Sequence, residues 1–220
     1  MRALTAIGFL TGSALLLLTA APASAQNAPA RDDIVAKLEK YQSDLELDVP
    51  ALRHQVTERS KMRGKNEPPP QKRPPIAPDL NKLPAFNLDI SFDVDTPIVQ
   101  PDSYQTVGRV ADALVHSSLL PYTFLIVGHV EANGKRETNA ILSQRRADAI
   151  REILVNTFKI SAKRIQSVGL GEEQLLDFAR PTAPANNQIQ IMTLAKIPEP
   201  AEQPAAATPA AKKQPAKKKK

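Results

Sequence analysis

The chain has 220 residues and a formal net charge of +6, with 20 prolines, 8 glycines and neither cysteine nor tryptophan. The missing cysteines exclude a disulfide framework, a thiolate metal site, a cysteine nucleophile and a lipid-modified cysteine, and the missing indoles exclude a carbohydrate cleft built on stacked tryptophan. The charge sits mainly in the last residues, where six lysines follow Ile197 against Glu199 and Glu202, so residues 26–196 keep only about +1 and do not form a basic nucleic-acid domain.

In chain order, Arg2 opens a short positive region, Ile7 to Thr19 is apolar, and Ala23-Ser24-Ala25 follows with small residues at the two positions that a signal peptidase reads. Residues 1–25 therefore read as a secretory signal, with cleavage after Ala25. The apolar run falls short of the roughly 20 residues that span a bilayer. The rest of the chain lacks the repeated alternating strands of an outer-membrane barrel.

Residues 26–63 read as a helical segment of one or two helices. Asp32 and Asp33 suit the first turn of a helix dipole, and Ile34, Leu38, Tyr41 and Leu45 recur at helical spacing. Asp48 and Pro50 mark a second start, followed by Leu52 and Val56. The apolar stripe is thin, so it either docks on an unknown protein partner or frays. Residues 64–84 hold seven prolines from Pro68 to Pro84 and read as a linker. A polyproline run of that length would reach on the order of 60 Å.

The globular part is expected over 85–196. Phe86, Leu88, Ile90 and Phe92 alternate as a strand with one buried face. Pro101-Asp102 opens a helix carrying Val107, Val110, Ala113 and Leu114. Tyr122 to Val127 is a near-continuous apolar run, the mark of a strand covered on both faces. A loop over 128–135 precedes a long helix over 137–158. A short strand follows at Arg164 to Val168, and a last one at Asn187 to Leu194. The order β-α-β-α-β-β predicts an α+β domain with two helices packed on a mixed sheet. Residues 197–220, rich in alanine, proline and lysine, read as a disordered basic tail that could attach to an anionic envelope surface.

Projection of the long helix at about 100° per residue places Arg146 amid Leu142, Ala149, Ile150 and Ile153, with Asn139 near the same line and Arg145 on the flank. An arginine on an inward face needs an anion. Glu131 stands just past the carboxyl end of the covered strand, the end at which open sheets bind ligands. An acid, an amide and a guanidinium so arranged would suit a zwitterion. An internal Glu131–Arg146 or Asp95–Arg146 bridge is the alternative.

Three blocks carry a family resemblance: Gly128-His129-Val130-Glu131-Ala132-Asn133-Gly134, Asn139-Ala-Ile-Leu-Ser143-Gln-Arg145-Arg146-Ala147, and Ile165 to Glu172. They resemble the OmpA-like peptidoglycan-binding domain, here without a β-barrel, over residues 85–196. The resemblance implies a periplasmic protein, associated with the cell envelope and outer membrane, that grips the diaminopimelate of the peptidoglycan stem peptide without covalent attachment. It implies Glu131 and Arg146 as ligand residues, with Asn139 and, more loosely, Asp95. The sequence departs from the family pattern in four places. Glutamate replaces the usual aspartate at 131, and Val130 replaces a threonine. Asn187 and Gln188 stand where the family has two arginines. A degenerate module serving as an envelope protein-interaction adaptor is thus the alternative reading.

His54, His116 and His129 have no metal-ligand spacing, and His129 reads as structural. Gly169-Leu-Gly171 does not complete a dinucleotide fingerprint, and no nucleophile elbow occurs. The sequence thus predicts a binding protein, not an enzyme, with no cofactor, no metal and no nucleic acid.

Overall fold

The structure, a computed structural model, describes residues 28–42, 45, 47–62 and 68–198. The expected signal with its Ala25 cleavage site and nearly all of the expected tail lie outside them. Four helices, α1 (Arg31–Leu38), α2 (Val49–Lys61), α3 (Tyr104–Leu114) and α4 (Arg136–Glu152), accompany four strands. The strands are β1 (Ala85–Leu88), β2 (Tyr122–His129), β3 (Ile165–Gly171) and β4 (Ile189–Lys196).

From β1 onward the order is the expected β-α-β-α-β-β. The sheet is open and mixed, in the order β1-β4-β2-β3. β4 pairs antiparallel with β1 and β2, and β3 pairs parallel with β2. The first strand is shorter than expected, because Asp93 to Thr96 turn the chain and Phe92 pairs back with Val99. The long helix ends in a π-helical turn, Ile153–Thr157, that replaces its last α-helical residues.

Both faces of β2 are covered, as its apolar run requires. Phe124 and Ile126 point to one side with Ile189 and Ile191 of β4, under Val107, Val110, Leu114, Ala147 and Ile150 of α3 and α4. Leu125, Val127, Met192 and Leu194 point to the other side. α4 lies directly on the sheet because Gly128 and Gly169 share one rung of the β2–β3 ladder. A Cβ on Gly128 would come within 2.3 Å of the Ser143 carbonyl oxygen, and one on Gly169 within 2.1 Å of the Gln144 nitrogen.

The second cover is the N-terminal segment, and here two expectations are corrected. Residues 68–84 are not an extended spacer. They turn through two 3₁₀ segments, Pro70–Lys72 and Pro78–Lys82, and bury Ala77, Leu80 and Leu83 against the second face. Nor does the stripe of the N-terminal helices await an outside partner. Val49, Leu52 and Val56 of α2 join the same face, while Ile34, Val35 and Leu38 of α1 enter the first core. The Thr193 hydroxyl donates to the Leu38 carbonyl, tying α1 to β4. Proline is compatible with this packing because it occupies the first turns of the short helices, where its missing N–H is not needed.

Candidate functional site

At the carboxyl end of β2, a cleft of about 500 Å³ opens between the loop after β1, the loop after β2 and α4. Asp89, Asp95, Val130, Glu131, Asn187 and Arg146 contribute to its wall. Of the four residues named from the sequence, the structure brings Asp95, Glu131 and Arg146 together at this cleft from distant parts of the chain.

Arg146 projects from α4 and is held from below by one hairpin. Its Nε donates to the Thr96 carbonyl at 3.0 Å, and its guanidinium carbon sits 4.8 Å from the centre of the Phe92 ring. Among the described residues no carboxylate lies within 4.0 Å of it, so neither internal bridge is made. Burial lowers its pKa, and the field of Asp95 opposes that shift. The group stays cationic, partly desolvated and faced with acids it does not touch. Arg145, one residue earlier, is exposed on the flank, as the helical projection requires.

Asp95 sits at the hairpin tip with φ of 55°, a left-handed conformation that aspartate tolerates better than most residues. The turn is closed by Asp93 N–H donating to Ile98 and Thr96 N–H donating to Asp93. Glu131 is half-buried, and its backbone is fixed at both ends. Its N–H donates to Asn187 Oδ1 at 3.1 Å, and its carbonyl accepts from Asn139 Nδ2 at 3.1 Å.

Asn139 is the exception among the expected ligand residues. It is 1% exposed and lies behind the cleft, where Nδ2 also donates to Asn133 Oδ1 and to Glu172 Oε2, each at 2.9 Å. Its two N–H groups are fully used within the protein, so it shapes the Glu131 loop instead of lining the cleft. Asn187, at a position where the family pattern has arginine, holds the Glu131 backbone. Asn186 organises the loop before β4 by accepting from Leu176 and Asp177 N–H and donating to Arg180.

Sequence reasoning misses Phe92 and Thr96, which carry Arg146, because the alternation from Phe86 makes Phe92 read as the end of a strand. The turn-forming run Asp93-Val-Asp95-Thr-Pro97 was the available signal. His129 is buried, as its structural reading implies. Its Nδ1 donates to the Gln174 carbonyl at 2.9 Å, and Nε2 lies 3.0 Å from Gln190 Oε1. Among the described residues there is no cluster of histidine and carboxylate side chains fit to hold a metal, and no helix long and apolar enough to cross a membrane.

An open mixed sheet covered by helices on both faces, with a cleft of opposed charges past β2, defines an α+β domain. Residues 91–189 match the OmpA family model. It is 32% identical over 105 residues to outer membrane porin F of Pseudomonas aeruginosa, covering 45% of this chain and 29% of that protein. It is 33% identical over 85 residues to the peptidoglycan-associated lipoprotein of Brucella melitensis, covering 39% of this chain and 49% of that one. The chain thus spans about half or less of the length of these relatives. Among solved structures it is similar to the peptidoglycan-associated lipoprotein of Burkholderia pseudomallei, at 25% identity and TM-score 0.37, covering 50% of this chain and 87% of that one.

Proposed function

We propose that this protein binds peptidoglycan non-covalently in the periplasm, taking the zwitterionic end of a stem-peptide diaminopimelate into the cleft. The ligand ammonium faces Asp95 and Glu131, and the ligand carboxylate meets the terminal nitrogens of Arg146. One observation carries the reading: a partly desolvated arginine, supported by Phe92 and Thr96, points into a cleft with two acids and pairs with neither. A structural ion pair would have closed that distance. The peptidoglycan-associated names of several relatives support the ligand class. Export by the signal at residues 1–25 and attachment through the lysine tail belong to the same proposal.

The test is co-sedimentation of the full mature chain with purified diaminopimelate-type sacculi. Removing one member of a desolvated charge pair costs about 2–5 kcal/mol, so Arg146→Ala weakens binding roughly thirtyfold or more. Glu131→Gln follows it, whereas Arg145→Ala, on an exposed flank, changes binding by less than about threefold. Circular dichroism establishes that each variant is folded. Equal binding by wild type and a folded Arg146→Ala overturns the assignment and leaves the degenerate-adaptor reading, which the substitutions at Asn187 and Gln188 favour.

A further inference from the structure

The turn after β3 carries three consecutive buried polar residues, Glu172, Glu173 and Gln174, and each takes a partner from the N-terminal segment. Glu173 Oε2 pairs with Arg59 of α2 at 2.9 Å, and the same carboxylate is gripped by both ends of the Arg136 fork. Gln174 Oε1 accepts from Ala77 N–H, and its amide donates to Asn81. Glu172 Oε1 pairs with Arg73 Nη1 at 2.8 Å, with side chains 13% and 3% exposed for Arg73 and Glu172.

Glu172 leads onward to the cleft through its side chain. Its second oxygen accepts from Asn139 Nδ2 at 2.9 Å, and that same nitrogen donates to the Glu131 carbonyl and to Asn133. Two N–H bonds therefore serve three acceptors, and the buried carboxylate fixes where they point. Arg73 in turn fixes the carboxylate, and Arg73 Nε is itself anchored on the Pro68 carbonyl at 3.1 Å. Arg73 lies outside the family match over residues 91–189, on the stretch whose prolines read as a linker.

We propose that Arg73 and Glu172 are positioning residues for the ligand cleft, so that the N-terminal segment sets the geometry of Glu131 through Asn139. The segment does more than cover apolar sheet. Packing without Arg73 would still bury Leu80 and Val56, but it would leave Glu172, one of the three acceptors of the Asn139 amide, without its Arg73 partner. The proposal rests on the wall-binding reading for one of its two readouts only.

The experiment uses the full mature chain and compares Arg73→Gln with Arg59→Gln. Both variants loosen the N-terminal segment, but only the first touches the Glu172–Asn139 contact, since Glu173 keeps Arg136. Arg73→Gln is expected to weaken sacculus binding about tenfold, the middle of the range for residues that act through others. Arg59→Gln is expected to change it by less than about twofold on the same scale. In the ligand-free protein, the Asn139 side-chain amide and the Glu131 backbone amide shift in the NMR spectrum of Arg73→Gln and exchange faster, and Arg73→Lys restores them in part. If Arg73→Gln does not fold, Glu172→Gln removes the same shared charge and is read the same way. Equal effects of the two arginine variants on binding, or unmoved Asn139 and Glu131 signals, overturn the proposal. If wild type itself fails to sediment with sacculi, the wall-binding reading falls. The NMR comparison then decides the positioning role alone.

Discussion

At the scale of single residues, the cleft depends on groups whose charge state is set by surroundings they do not share. Arg146 keeps its charge against burial with the help of Asp95. His129 does the opposite: complete burial lowers its pKa below the ordinary 6.5, and two neutral partners, the Gln174 carbonyl and the Gln190 side chain, do not compensate. The folded state therefore resists protonation of this ring more than the unfolded chain does. Its contribution to stability is complete above about pH 6.5 and is lost as pH falls below that value toward the folded pKa. Thermal melts between pH 7.5 and pH 5 will show a decline that is shallower in His129→Gln. Parallel pH profiles for the two proteins would remove His129 as a cause.

At the scale of elements, the sequence was readable where a period or a local rule fixed the outcome. The helical phase separated Arg146 from Arg145 one residue away, and the apolar run at Tyr122 to Val127 correctly demanded two covers for one strand. What supplies the second cover was not readable. The prolines of residues 68–84 have a local meaning, an extended run, while Ile76, Ala77, Leu80 and Leu83 between them carry the tertiary one. The two readings conflict, and the demand for a second cover was the clue that could have settled it. Asn139 failed differently: spacing put it on the ligand line, but the buried Glu172 that engages its amide comes from a turn no periodicity connects to it. The element-level consequence can be measured. Leu52 is 4% exposed within the second core, so Leu52→Ala should cost about 2–5 kcal/mol, as for other buried leucines. Denaturant unfolding would give this directly. A loss below about 0.5 kcal/mol, the range of surface substitutions, would mean that α2 is peripheral to the fold.

At the scale of the whole molecule, charge and shape set how the protein would sit in the envelope. Most of the +6 lies beyond Ile197, so the lysine tail is expected to add a salt-sensitive, ligand-independent component to envelope binding. Exposed charges are screened over about 8 Å at physiological salt. Cutting after Lys196 should flatten the salt dependence of sacculus binding and leave the part lost in Arg146→Ala. Identical salt profiles would show the tail to be inert. Shape gives the sharper test, because the corrected role of residues 68–84 changes the reach of the protein. A free polyproline spacer of that length would hold the N-terminal helices on the order of 60 Å from the sheet. Ala77, Leu80 and Leu83 instead pack with α2 on the second face of the sheet, where α2 meets β3, while α1 lies against α3 and β4. A compact body of residues 28–198 has a radius of gyration of roughly 16 Å, by the scaling for globular chains. Small-angle scattering of that fragment should give this value with a single maximum in the distance distribution. A second maximum near the spacer length, or a radius well above 20 Å by the same scaling, would restore the linker and detach the N-terminal segment from the cleft.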